Sequence, residues 1–231
     1  MTNDSGVETA NRFFEGTGKS YGLIVTLCTL GFDLWWKEKL LRAIPPNPRY
    51  MMDQACGTGI LTFKIARRFP SCRVTGVEMR DEYLSFARAE ARALNFNNVD
   101  FILGRAEEVV VEGPLDCIIS SYLAKYAELK SLIRNAACML RRGGVIALHD
   151  FTYPRGSLFT RLWEFYFRIL QRLGSVFFPE WKIAFHELPG FLKQTRWTSE
   201  LLGELEANGF TRIRAESLTR GTAAIVTAVK G

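Results

Sequence analysis

The amino-acid sequence predicts an α/β fold: a doubly wound sheet of about seven strands, mostly parallel, with an antiparallel C-terminal strand and helices on both faces. Three observations predict it. Short apolar runs alternate with stretches of ten or more residues at helical spacing, the pattern of parallel strands joined by crossover helices. A turn with two glycines, Asp53-Gln54-Ala55-Cys56-Gly57-Thr58-Gly59, sits between the first apolar run and the helical stretch after it. The chain closes on two alternating runs with a short turn at Arg220-Gly221, which reads as an antiparallel edge.

In chain order, Tyr50 to Gln54 reads as the first strand and Ile60 to Phe69 as a helix. Arg73 to Glu78 is the next strand, and Asp81 to Leu94 the next helix, with Asp81 at its N-cap. Val99 to Leu103 and Leu115 to Ser120 are strands. Lys130 to Leu140 is a helix closed by a turn at Gly143-Gly144, and Val145 to Phe151 is a near-continuous apolar strand. Thr198 to Asn208 is a helix with Gly209 at its C′ position. Thr211 to Ser217 and Ala223 to Val229 form the terminal pair. The whole chain, 1–231, reads as one domain, with a helical cap over 1–44 and a helical lid or acceptor-site insertion over 155–197.

Composition narrows the function classes. With 48% hydrophobic and 23% charged residues in 231, the chain has enough apolar material for a full core, which excludes global disorder. Five scattered cysteines form no CxxC pair, which argues for a reducing compartment and against a disulfide framework or a metal site. The first ten residues are polar and carry Asp4 and Glu8, unlike a signal or transit peptide. The net charge of +6 admits nucleic acid, an anionic membrane surface or an anionic ligand as a partner.

Gly57 and Gly59 permit close backbone approach to a ligand, and Glu78, ending the second strand, is placed to accept both hydroxyls of a ribose. The nucleotide is not a dinucleotide, because the third glycine position of that fingerprint is Thr62. Asp53, ahead of the glycines, would repel a pyrophosphate and suits a cationic amino-acid head group. Charge matching therefore favours S-adenosylmethionine over NAD.

Further motifs point the same way. Tyr21-Gly22-Leu23-Ile24-Val25 is followed by Thr29, Gly31, Trp36 and Lys37. Later come Leu148-His149-Asp150-Phe151-Thr152-Tyr153-Pro154 and Ser217-Leu218-Thr219-Arg220-Gly221. In order and spacing these resemble the class I S-adenosylmethionine-dependent methyltransferases, and within that class the UbiE/MenG-type ubiquinone and menaquinone C-methyltransferases, over roughly Phe13 to Lys230. The resemblance implies a Rossmann-like sheet, S-adenosylmethionine as cofactor, no metal, and C-methylation of a prenylated quinol. It implies cofactor contacts from Tyr21, Asp53, Ala55, Gly57, Gly59, Glu78, Met79, Ala106, Glu107 and Ser120. Departures stand at Gly22, Val25 and Arg105. A fourth is Ala124, where the family carries an Arg implicated in activating the quinol. Lys125 is its neighbour, and lysine lacks the planar fork of arginine.

The chemistry needs an acceptor held in line with an activated methyl, and a way to remove a proton. Candidates at the carboxyl ends of strands four and five are Tyr122, Lys125, His149, Asp150 and Tyr153, with Asp150, His149 and Tyr122 as the catalytic set. Asp150 is the expected group to order or deprotonate the acceptor. His149 alternates to the other side of the strand, so one of the two is expected to face the site.

The stretch Leu158 to Leu173 reads as a helix with Arg161, Glu164, Arg168 and Arg172 on one stripe and an apolar arc too wide for one sheet face. Two readings fit: burial against a partner subunit, as in a homodimer, or a lid or membrane-facing element, with the protein cytoplasmic and peripheral at the inner membrane face. A different acceptor, such as a lipid amine or another aromatic metabolite, and a non-catalytic cofactor-binding role in a biosynthetic complex also stay open. Nucleic acid is disfavoured, because the basic residues are spread and Ser120-Ser121-Tyr122-Leu123 stands where a base-flipping motif would follow strand four.

Overall fold

The computed structural model describes residues 3–231. Its sheet has seven strands: β1 (Tyr50–Gln54), β2 (Arg73–Glu78), β3 (Val99–Leu103), β4 (Leu115–Ser121), β5 (Leu140–Phe151), β6 (Phe210–Leu218) and β7 (Ala223–Lys230). They lie in the order β3-β2-β1-β4-β5-β7-β6. The first five are parallel to one another; β7 runs antiparallel to β5 and β6 antiparallel to β7. The order reverses between β1 and β4, and such a reversal opens a crevice at the strands' carboxyl ends.

The period-two pleat divides the core. Met52, Ile118, Ile146, Leu148 and Val226 face one way and pack on α6 (Leu129–Met139) and α10 (Trp197–Ala207). Their neighbours Met51, Cys117, Ile119, Ala147 and Ile225 face the other way, against α3 (Phe32–Leu41) and α4 (Ile60–Arg68). The helix over α5 (Asp81–Ala93) differs from expectation at its start. Arg80 holds the cap position in extended conformation, and Asp81 is the first helical residue, where its charge still favours the positive helix end. Glu128 caps α6 instead, accepting from the N–H groups of Lys130 at 3.2 Å and Ser131 at 2.8 Å.

Gly143-Gly144 does not end a helix. Both glycines lie within β5, in an irregularity where the register jumps from Leu115↔Leu140 to Cys117↔Val145. A Cβ at Gly144 would stand 2.9 Å from the Arg141 carbonyl oxygen, so the bulge admits no larger residue without a shift.

A third apolar cluster roofs the carboxyl edge. It joins α1 (Asn3–Phe14), α2 (Tyr21–Cys28) and α9 (Lys182–Gln194) through Phe13, Ile24, Tyr126, Trp181 and Phe185. Trp181 Nε1 donates to Ser20 Oγ at 2.8 Å, and Ser20 Oγ donates to Glu180 at 2.7 Å. The stretch read as one helix over 158–173 is α7 (Ser157–Ile169) continued by a π-helical turn over Leu170–Gly174 and a single α-turn, α8 (Ser175–Phe177). Among the described residues no helix is long and apolar enough to cross a membrane.

Candidate functional site

The glycine turn after β1 owes its shape to three left-handed residues: Ala55 at φ +57°, Gly57 at +59° and Gly59 at +88°. At Gly59 a Cβ would also lie 2.6 Å from the Phe63 ring. Ala55 adopts this conformation despite its Cβ, a cost of about 1–3 kcal/mol that clusters at ligand-binding turns. The turn brings the Gly57 N–H against Glu78 Oε2 at 3.0 Å, while Glu78 Oε1 accepts from the Arg80 N–H at 2.9 Å. The carboxylate is thus locked in place with lone pairs left over. Burial pushes its pKa up, and the two backbone donors oppose that push.

Tyr21, Ala55, Gly57, Glu78, Met79, Ala106, Glu107 and Tyr122 line one cleft of about 690 Å³, counted with the solvent space at its mouth. Asp53, Gly59 and Ser120 are not part of this lining. Ser120 Oγ donates to the Gln54 carbonyl at 2.5 Å and so ties β4 to β1 under the cleft floor. Residues absent from the sequence expectation complete the wall: Phe14, Arg80, Tyr83, Gly104, Leu123 and Tyr126. Tyr83 carried a faint signal, being an aromatic in the helix just after Glu78. Phe14 carried none, because α1 reaches the cleft only through tertiary packing.

The residues fit S-adenosylmethionine. Glu78 would offer a fixed acceptor for ribose hydroxyls, Tyr83 and Phe14 would offer aromatic faces, and Asp53, buried and outside the lining itself, would supply a negative charge next to the glycine turn. Asp53 Oδ2 accepts from Thr62 Oγ1 at 2.6 Å, whereas Asp53 Oδ1 is buried and has no partner. Burial raises its pKa to about 7, against the opposing Thr62 hydrogen bond and the charge of Lys37. Because the folded pKa exceeds the unfolded one, native Asp53 holds a proton between about pH 4 and 7, and the stability this gives is lost as pH rises to 7. A cationic ligand reverses the preference. Affinity for S-adenosylmethionine is therefore expected to rise about tenfold per pH unit between pH 5 and 7 and to level off above, as binding expels the Asp53 proton. Titration calorimetry across that range checks it; Asp53→Asn should bind weakly with no pH slope, and a slope surviving in that variant would rule the assignment out.

Beside the cleft, sharing Phe14, Tyr21, Tyr122 and Tyr126 with it, lies an aromatic chamber of about 510 Å³ walled further by Phe151, Phe167 and Trp181. Lys125 is its one charged lining residue. Tyr122 stands on the shared wall. It follows β4 in the left-handed conformation at φ +74°, stacks on Phe151 with ring centroids 4.5 Å apart, and donates its hydroxyl to Asp33 Oδ1 at 2.5 Å. Asp33 in turn pairs with buried Lys37 one helical turn on.

The structure places both strand-five candidates out of the lining of the cleft and the chamber. Asp150 is fully buried and its oxygens accept from Lys125 Nζ at 2.5 Å, the Lys125 N–H at 3.0 Å and the Phe151 N–H at 2.7 Å. His149, also fully buried, pairs its Nδ1 with Ser121 Oγ at 2.8 Å and lies against Trp36, with Nε2 unpartnered. Burial and the charges of Lys37 and Lys125 hold the imidazole neutral. Ala124 packs in the core with Leu129 and Trp197, so the cation of this region is Lys125. Tyr153 lies farther out, its hydroxyl donating to Glu164.

A family model of the ubiE/COQ5 methyltransferase family matches residues 2–230. The chain is 28% identical to the demethylmenaquinone methyltransferase of Thermus thermophilus over 92% of its own length and 97% of the relative's. It is 25% identical to the ubiquinone/menaquinone biosynthesis C-methyltransferase UbiE of Geotalea daltonii, over 96% and 97%. Its fold is shared with the geranyl diphosphate C-methyltransferase of Streptomyces coelicolor, solved with S-adenosyl-L-homocysteine, at a TM-score of 0.60 and 15% identity over 86% and 79% of the two chains.

Proposed function

The chain belongs to the ubiE/COQ5 methyltransferase family and is an S-adenosylmethionine-dependent methyltransferase, and from that premise we propose that it methylates a ring carbon of an apolar, prenylated quinol. The observation that carries this reading is the aromatic chamber sharing a wall with the cofactor cleft, with Lys125 as its one charged lining residue. Flat aromatic walls suit a flat ring, and the names of the related proteins fit a quinol.

S-adenosylmethionine supplies an electrophilic methyl group on a sulfonium. The rest falls to the protein. A ring carbon attacks well once the adjacent hydroxyl is ionised, and a phenol of pKa ~10 needs help to ionise at neutral pH. Lys125 holds its ammonium in the apolar chamber, with two of its three N–H bonds taken by Asp150 Oδ1 and the Tyr122 carbonyl. The third is free to meet a phenolate oxygen. Asp150 acts through Lys125 as a positioning residue: burial drives the lysine pKa down, and the carboxylate beside it opposes that. Tyr122 places the ring between chamber and cleft. His149, uncharged, supports the wall behind Tyr122, whose ring centroid lies 5.0 Å from its own. The N-terminal helices α1 and α2 and the insertion over 155–197 wall the chamber where the acceptor would sit, with Phe14 and Tyr21 shared with the cofactor cleft.

Incubation with a reduced demethylated quinone and isotope-labelled S-adenosylmethionine should give a quinol carrying the label on a ring carbon. A labelled phospholipid or amine in its place, from a whole membrane-lipid extract, would reject the quinol reading. Removing both buried charges, Lys125→Met with Asp150→Asn, avoids stranding either one. That variant is expected to lose about 10²-fold or more in kcat at pH 7, the scale of a lost proton-handling group, and to recover toward pH 10 as the acceptor ionises unaided. Its cofactor affinity should be unchanged. A kcat loss independent of pH would assign the pair a structural role only.

A further inference from the structure

A third cavity, of about 830 Å³, adjoins the chamber through Cys28, Phe151, Phe167 and Leu188. It runs between the α2–α3 corner, at Leu30 and Phe32, and the inner face of α7, at Phe159, Trp163 and Tyr166. Tyr166 bridges the two sides, its hydroxyl donating to the Leu27 carbonyl at 2.5 Å. Cleft, chamber and groove thus lie in a row from the cofactor turn to the surface, each sharing wall residues with the next.

The surface at that mouth is unusual. All but four of the exposed large apolar side chains among the described residues fall in two stretches, 23–35 and 158–183. On α7 and the turns after it, Leu158, Leu162, Phe165, Ile169, Leu173 and Val176 recur every three or four residues and all face outward. With Phe159, Trp163 and Phe167 pointing inward, the helix is apolar on both sides, and one side has no protein partner among the described residues. Val176 and Phe177, more than 70% exposed, form its tip. Across the groove Leu30, Phe32 and Trp35 continue the exposed apolar rim.

The charges beside this stripe decide what covers it. Arg161, Arg168 and Arg172 are exposed along the same helix. The acid between them, Glu164, is engaged by the Tyr153 hydroxyl. Apolar side chains flanked by arginines, on a chain of net charge +6, match the acyl boundary and the headgroups of an anionic bilayer. We propose that α7 and α8, with the Leu30–Trp35 rim opposite, dock on an anionic lipid bilayer, and that the groove between them is the port through which an acceptor's apolar chain passes from the membrane to the chamber. The proposal rests on the apolar-acceptor reading for what enters the port; the docking itself does not depend on it.

Flotation of the full chain with phosphatidylcholine vesicles, with and without phosphatidylglycerol, and with no acceptor or cofactor present, separates the two. The anionic vesicles should carry the protein at least tenfold more strongly than the neutral ones. Val176→Ser with Phe177→Ser, neither of which lines the cleft, the chamber or the groove, should weaken vesicle binding about tenfold or more, from the loss of two inserted side chains. Methylation of a short-chain acceptor should be unchanged, while a long-chain acceptor embedded in vesicles should show a raised KM. Arg161→Glu with Arg168→Glu should remove the anionic preference, about thirtyfold or more for two basic side chains at a charged surface. Equal binding to neutral and anionic vesicles, or unchanged binding by the serine variant, would overturn the proposal. So would a concentration-dependent dimer that the serine variant dissociates, since a second copy would then cover the stripe. Vesicle binding without any methylated quinol would leave the docking in place and overturn the quinol instead.

Discussion

Alanine in place of Glu78 is expected to weaken S-adenosylmethionine binding by about a hundredfold or more, since two charge-assisted hydrogen bonds are worth ~1.5–3 kcal/mol each. The carboxylate has two tasks. It presents acceptors to the cleft, and it holds the Gly57 and Arg80 N–H groups that shape the turn and the start of α5. Glutamine keeps one acceptor oxygen but must turn an amide donor toward one of those N–H groups, so Glu78→Gln should fall between wild type and alanine. Calorimetric Kd values for the three proteins check the order. Near-wild-type affinity in the alanine variant would take ribose recognition away from Glu78. Circular dichroism should show the sheet intact in both variants, because β2 keeps its pairing with β1 and β3 through backbone bonds.

The second large effect is on stability. Asp33 is buried in α3, pairs with buried Lys37, and accepts the Tyr122 hydroxyl at 2.5 Å. Asp33→Ala strands a buried ammonium and an unsatisfied phenol together. Breaking one half of a buried ion pair typically costs about 3–5 kcal/mol. For a chain of this length that lowers Tm by roughly 10 °C, at ~2–4 °C per kcal/mol. Replacing both partners, Asp33→Ala with Lys37→Met, should recover most of the loss, because no unpaired charge then remains. Thermal melts of the two variants distinguish the cases; equal Tm values would mean that the ion pair does not set the cost. The single variant should also lose activity beyond its stability loss, since Tyr122 is then no longer held on the wall between cleft and chamber.

Six of the seven strands were legible to within a residue at each end, and β5 begins at Leu140, five residues before the expected Val145. β1, β2 and β3 coincide with the apolar runs at Tyr50, Arg73 and Val99, and β4 runs one residue past expectation. Period-two alternation and interrupting glycines are local signals, and a buried parallel strand writes them strongly. Gly143-Gly144 misled because two consecutive glycines mark a turn and a strand bulge equally well; pairing with β4 decided for the bulge. Asp81 misled by one position because an acid serves both the cap and the first turn of a helix.

The site divides along the same line. Glu78 and the glycine turn were readable because both lie at fixed offsets within one β-α-β unit. Lys125 was harder to rank. As the neighbour of Ala124 it looked like a poor substitute, yet the turn after β4 directs Ala124 into the core and Lys125 to the chamber. Asp150 drew attention as an acid at a strand end, and its three hydrogen bonds to Lys125 and the Phe151 backbone show where that charge is spent. Such partners come from different elements and leave no spacing in the sequence.

By itself, then, the sequence determined the strands, the helices that alternate with them, the nucleotide turn and the acid that ends β2, because each of these is written by residues near in the chain. Only the tertiary structure decided how α1, α2 and α9 roof the cleft, which cation the chamber holds, and which side of α7 is left bare. Those depend on packing between segments more than a hundred residues apart, such as Tyr166 on Leu27 and Trp181 on Ser20. A helix that is apolar on both sides of one polar stripe states in sequence only that two faces avoid water; which face meets protein is settled when the fold covers one of them.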